Sequence, residues 1–226
     1  MPAIPQIPSY SMPNEEELPA NTVDWKPDPG RAALLIHDMQ HFFLRPFDGT
    51  PALQKTLVEN CTLLREAFAD RGLPVAYTAQ PGGMTPRERG LLKDFWGPGM
   101  STSHEDRDVI APLSPAPEDK VITKWRYSAF HASDLLQWMR GQGRDQLIVC
   151  GVYAHVGIMM TVADAFSHDI QCFLAADAIA DFTPDYHQLA LDYTAERSGS
   201  VVLTQWLLDS LGPARTGGRR PGEAGE

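Results

Sequence analysis

One apolar stretch decides what this chain can fold into: LIVCGVYAHVGI at residues 147–158. Leu147, Ile148, Val149 and Cys150 form a continuous apolar run, as expected of a strand buried on both faces, and Gly151 punctuates it before apolar residues resume at helical spacing. A buried strand that turns directly into a helix belongs to a parallel sheet covered by helices. In such sheets ligands sit outside the carboxyl ends of the strands, so residues 151–157 are expected to line a pocket. The turn offers Tyr153 and His155 but ends in Gly157, where covalent catalysis would place a thiol or a hydroxyl.

The rest of the chain supplies five more strands in the same style. Residues 32–36 (AALLI) form a short buried run that delivers His37 and Asp38 to its carboxyl end. Leu53, Leu57, Cys61, Leu64 and Phe68 recur at helical steps, describing an amphipathic helix that ends near Gly72. Residues 74–77 (PVAY) are the next strand, and residues 120–123 (KVIT) another, ending at Lys124 on the same edge as Asp38. Between these two strands, residues 78–99 form a Gly- and Pro-rich stretch too long for a simple connector; it carries Gln80, Arg87, Arg89, Phe95 and Trp96. A helix face over 135–139 precedes the central strand, and a helix is expected from about 156 to 168 after it. Then come a strand over 172–175 and a helix starting at Thr183 and Pro184 and stopping at Gly199. A strand over 201–203 and a helix over 205–211 complete the pattern. Six strands alternating with helices predict an α/β fold, three-layer α/β/α and Rossmann-like, around a six-stranded parallel sheet. Residues 1–30, proline-rich and without a period, are expected to form an N-terminal arm on the 31–211 domain or on a neighbouring subunit. The tail, residues 212–226, has almost no apolar surface and is expected to be disordered.

Net charge of −10 removes the general basic field that nucleic acid or an anionic membrane surface would need, so an anionic small molecule must meet locally placed Lys or Arg. No apolar run reaches the roughly 18 residues of a membrane span, and the first residues lack the pattern of a secretory signal, which predicts a cytoplasmic protein. Cys61, Cys150 and Cys172 are far apart without a C-x-x-C pair and read as buried thiols.

Asp38, Lys124 and the 151–157 turn come from the ends of separate strands, so the fold can unite them. A carboxyl beside an ammonium at a dry pocket can act as an acid–base device with a charge stabiliser. Alternatively Asp38 caps the following segment and Lys124 lies along the surface. Gln80, Arg89 and Trp96 could hold a carboxylate-bearing ring, or they could belong to a solvated loop pinned by its tryptophan. His37 and His155 lack metal-ligand spacing and read as hydrogen-bonded structural histidines; no metal is expected. Ser128 and Ser198 lack a G-x-S-x-G elbow.

HDMQ at 37–40, YTAQP at 77–81, LLKDFWGPGM at 91–100, TKWRYSAF at 123–130 and GVYAHVG at 151–157 resemble the isochorismatase branch of the isochorismatase-like hydrolases, a likeness running from about residue 5 to 211. GGMTPRERGLLKDFWGPGM at 82–100 is most similar to the phenazine-pathway members, which hydrolyse 2-amino-2-deoxyisochorismate. The wider superfamily uses an Asp, Lys and Cys triad. Asp38 and Lys124 match two members of it, and Gly157 takes the place of the cysteine, so the resemblance implies no thioester.

What it implies instead is a cofactor-free cleavage of an enolpyruvyl vinyl ether. Asp38 would be the general acid, Lys124 would orient substrate and balance charge, and Gln80, Arg89, Tyr153 and Gly157 would contact substrate, with Phe42 and Trp96 as apolar walls. Burial near substrate carboxylates would raise the pKa of Asp38 and Lys124 would lower it. A cis peptide between Val152 and Tyr153, a homodimer, and a free product in the absence of an aryl-carrier domain are implied as well. Isochorismate as the substrate, a nicotinamidase-type amidase and a catalytically silent scaffold are the alternatives.

Overall fold

The computed structural model describes residues 4–213. Six strands form one parallel sheet in the order β3-β2-β1-β4-β5-β6: Ala32–His37 (β1), Val75–Ala79 (β2), Lys120–Thr123 (β3), Gln146–Val152 (β4), Gln171–Ala180 (β5) and Gly199–Val202 (β6). Chain order runs outward from β1 in one direction and then from β4 in the other, so the β1/β4 boundary is the switch point where an open α/β sheet leaves a crevice. All residues of β1 and β4 are buried, the condition for near-continuous apolar strands.

Alternation along β1 divides the core. Ala32, Leu34 and Ile36 point to one face, where they meet Leu57, Cys61, Leu64 and Phe68 of the Pro51–Asp70 helix and Leu207 of the Thr204–Ser210 helix. Ala33 and Leu35 point to the other, towards Leu135, Met139, Val162, Ala190 and Leu191 of the Leu135–Gly141, Met159–Phe166 and Pro184–Arg197 helices. The result is the three-layer α/β/α arrangement. All three cysteines are buried free thiols.

Several boundaries differ from the sequence reading. β5 runs to Ala180 rather than stopping at 175, because its AADAIA half has low intrinsic β-propensity and is held by pairing on both sides in its first part and by β4 after a register shift between Val149 and Gly151. Gly199 does not merely end a helix; it opens β6, and Thr183 caps the Pro184–Arg197 helix by accepting from the Tyr186 N–H. The long 78–99 stretch contains two short helices, Pro86–Arg89, closed by a Thr85/Glu88 capping box, and Leu92–Trp96. The helix expected from 156 starts instead as a single π-helical turn, Ala154–Ile158.

Residues of the N-terminal segment lie along this same domain. Ile7 is buried and its N–H donates to the Pro46 carbonyl at 3.0 Å; Asn21 exchanges hydrogen bonds with the Val201 backbone. The expectation for the tail, apart from Gly212 and Pro213, lies outside the described residues.

Candidate active site

β1 ends in Asp38, whose φ of +53° is a left-handed conformation rarely adopted by non-glycine residues, a form of strain that clusters at functional sites. One cause of this backbone turn is visible in its partners. The Asp38 N–H donates to Thr78 Oγ1 at 3.0 Å, while the Thr78 hydroxyl donates back to Asp38 Oδ1 at 2.6 Å. Thr78 lies beside His37 in the β1–β2 register, so the hydroxyl is delivered by the sheet itself. Lys124 leaves the end of β3, tied by its own N–H to Ala79 O, and its Nζ donates to Asp38 Oδ2 at 2.8 Å. Asp38 and Lys124 are 4% and 3% exposed, so this is a buried ion pair.

Burial pushes the Asp38 carboxyl up, but the Lys124 ammonium, with the Thr78 hydroxyl assisting, outweighs it and holds the group below the ordinary carboxylate range. Of the two opposed effects expected from sequence, Lys124 therefore wins.

Arg89, Gln80 and Trp96 converge on the same cavity. Arg89 is buried, and its Nε donates to Gly97 O and its Nη1 to Gln80 Oε1. Among the described residues it has no carboxylate partner. A buried guanidinium without a counter-ion is a prepared seat for an anion, because burial of an unpaired charge is costly and a carboxylate offers a bidentate match. Gln80 is held in turn by Gln40, whose amide accepts from the Gln80 N–H and donates to Gln80 O.

At the β4 end the Val152–Tyr153 peptide is cis, at the position the resemblance implies. Tyr153 lines the cavity, but its hydroxyl is taken by the Phe43 carbonyl at 2.6 Å, so it presents its ring and backbone. Gly157 closes the floor. A Cβ there would come within 2.4 Å of His37 Cε1. His37 is fully buried, donates from Nδ1 to Val152 O at 2.7 Å, and is kept neutral because burial lowers its pKa to about 4. Its ring occupies the space a side chain at 157 would need.

Phe42 is the exception among the predicted residues. It is not part of the cavity wall and packs edge-to-face on Phe43. Leu92, Tyr127 and Val156 line the wall instead, none of which was singled out from sequence. Sequence reasoning also missed Thr78 and Gln40, although Gln40 belongs to the HDMQ string, and Asp181, whose buried carboxylate accepts from the His155 and Phe182 N–H groups and faces His155 Nδ1 at 2.8 Å. His37 and His155 are both structural histidines bonded within the protein.

This combination, a doubly wound parallel sheet with a buried Asp–Lys pair at its switch point and glycine where a nucleophile would stand, defines an α/β enzyme suited to acid catalysis without a covalent intermediate. The Isochorismatase domain model matches residues 32–205, and the chain belongs to the isochorismatase family of hydrolases. It is 54% identical to phenazine biosynthesis protein PhzD1 of Pseudomonas aeruginosa over 92% of this chain and 100% of that one. It is 47% identical to isochorismatase of Bacillus subtilis, covering 92% of this chain and 67% of that one. A cysteine hydrolase from Pseudomonas syringae shares the fold, with a TM-score of 0.76 at 24% identity over 85% of this chain and 96% of that one.

Proposed function

We propose that the enzyme hydrolyses the enolpyruvyl vinyl ether of 2-amino-2-deoxyisochorismate, releasing pyruvate and trans-2,3-dihydro-3-hydroxyanthranilate in phenazine-type biosynthesis. The observation that carries this reading is Asp38, buried and clamped between Lys124 and Thr78, a short way from an unpaired Arg89 and with no nucleophile at Gly157. The relatives named for phenazine biosynthesis, more than 50% identical over nearly their whole length, support the choice of amino substrate.

The chemistry follows from the charges. A substrate carboxylate paired with Arg89 leaves a second carboxylate near the Asp38–Lys124 pair, drawing Lys124 towards the substrate and raising the pKa of Asp38. Asp38 then takes up a proton and passes it to the terminal methylene of the enolpyruvyl group. The resulting oxocarbenium ion is captured by water, whose released proton returns to Asp38, and the hemiketal collapses to pyruvate and the ring alcohol. Tyr153, Trp96 and Leu92 keep bulk water from the cation. The enzyme acts as a homodimer in the cytoplasm in this proposal, which sedimentation of the purified protein tests for the dimer.

Pyruvate release, coupled to lactate dehydrogenase, from 2-amino-2-deoxyisochorismate and from isochorismate is the direct test. A higher kcat/KM for the amino compound, lost by several orders of magnitude in Asp38→Asn, is expected. Preference for isochorismate overturns the amino assignment, and unchanged turnover in Asp38→Asn removes Asp38 from the chemistry.

A further inference from the structure

The catalytic cavity is narrow and only partly open. It encloses about 40 Å³, room for a few water molecules, whereas sites for small organic ligands run to roughly 300–1,000 Å³. Directly outside it lies a second, open cavity of about 510 Å³, bounded by Leu91, Phe95, Arg126, His131 and Met160 among others. The residues common to both are Leu92 and Tyr127, so these two side chains are the partition. Trp96 Nε1 donates to Tyr127 Oη at 2.8 Å, closing the wall from the inner side.

The segment that carries this wall is a single short helix set between two glycines. The Leu92–Trp96 helix is bracketed by Gly90 at φ +50° and Gly97 at φ +65°, positions where glycine turns the chain at little cost. Leu91 and Phe95 are 75% and 66% exposed, so displacing the helix uncovers buried apolar surface only at Leu92 and at Trp96, which lies against Phe182. At the outer cavity Arg126 is held by the Glu88 and Trp125 carbonyls and has no carboxylate partner among the described residues. The acidic group there, Asp164, is already engaged by Ser128 Oγ and faces His168.

We propose that the outer cavity is the vestibule through which the dicarboxylate substrate reaches the site, with Arg126 as its first cation, and that the Leu92–Trp96 helix is the lid between them, latched by the Trp96–Tyr127 hydrogen bond. The substrate class rests on the function proposed above; the lid does not.

Two measurements separate these. Binding of 2-amino-2-deoxyisochorismate is followed by stopped-flow tryptophan fluorescence in Asp38→Asn and in the double variant that adds Tyr127→Phe. The observed rate is expected to level off with concentration at the lid-opening rate, and the plateau to rise about fivefold when Tyr127→Phe is added, the effect of losing one hydrogen bond of ~1 kcal/mol. Rates linear in concentration with equal slopes overturn the lid. If 2-amino-2-deoxyisochorismate does not bind, the substrate reading fails, and hydrogen exchange of the unliganded protein decides the lid alone. Faster exchange over residues 90–97 in Tyr127→Phe, with the Pro51–Asp70 helix unchanged, supports the latch, and unchanged exchange over 90–97 overturns it. Slower association in Arg126→Gln at low salt supports the vestibule, and association unaffected by that substitution overturns it.

Discussion

Asp38 is a carboxylate kept ionised by its neighbours, and its use as an acid depends on a substrate that reverses that balance. Thr78 stabilises the ionised form, so removing its hydroxyl raises the pKa of Asp38 in the free enzyme. Thr78→Val is accordingly expected to move the descending limb of the pH dependence of kcat/KM to higher pH, because that limb reports the acid in free enzyme. A limb that stays in place assigns it to another group. The same depressed pKa is a stability statement. The Asp38–Lys124 pair contributes above the ordinary carboxylate range and its contribution is lost as pH falls through the lowered value. Gly157 makes a second prediction. Installing a cysteine there drives its Cβ into the His37 ring, which is itself fixed by Val152 O, so Gly157→Cys should lower stability by about 1–3 kcal/mol in urea unfolding and produce no amidase activity. A stable, amide-cleaving Gly157→Cys would show that the missing thiol alone separates the two chemistries.

The turn after β4 is positioned by strands rather than by its own sequence. Gly151 has φ +115°, and a Cβ there would meet His37 O at 2.2 Å, so the close approach of β4 to β1 requires glycine on both counts. Gly151→Ala is expected to cost more than about 2 kcal/mol and to lower kcat, read from denaturant titration and the pyruvate assay together. On the far side of the same turn, Asp181 just past the end of β5 holds the His155 backbone, and the Tyr10 hydroxyl accepts from the Asp181 N–H at 2.8 Å. The N-terminal segment thus reaches the scaffold of the site through one carboxylate residue.

In the molecule as a whole, that segment is part of the core. Ile7 is 3% exposed among Met39, Phe43, Phe47 and their neighbours. Ile7→Ala should cost about 2–4 kcal/mol, a fall in thermal midpoint of roughly 5–15 °C for a chain this size, measurable by calorimetry. An unchanged midpoint would mean that the segment does not stay docked in solution. Strand positions, the parallel class and the Asp38–Lys124 pairing of strand ends were legible in the sequence because buried parallel strands are continuous apolar runs and their carboxyl ends all face one edge. The extension of β5 and the roles of Thr78, Gln40 and Asp181 were not, since none has a local pattern of its own, and the Pro86–Arg89 helix went unread although Thr85, Pro86 and Glu88 carry its capping signature. Residue order and pattern were enough to say which residues could reach the crevice and that no nucleophile stands at 157. Folded contacts were needed to establish that Lys124 outweighs burial at Asp38, that Arg89 lacks a counter-ion, that Phe42 lies off the wall and that His37 fills the space over Gly157, because each is a distance between groups brought together by strand pairing and remote in the chain.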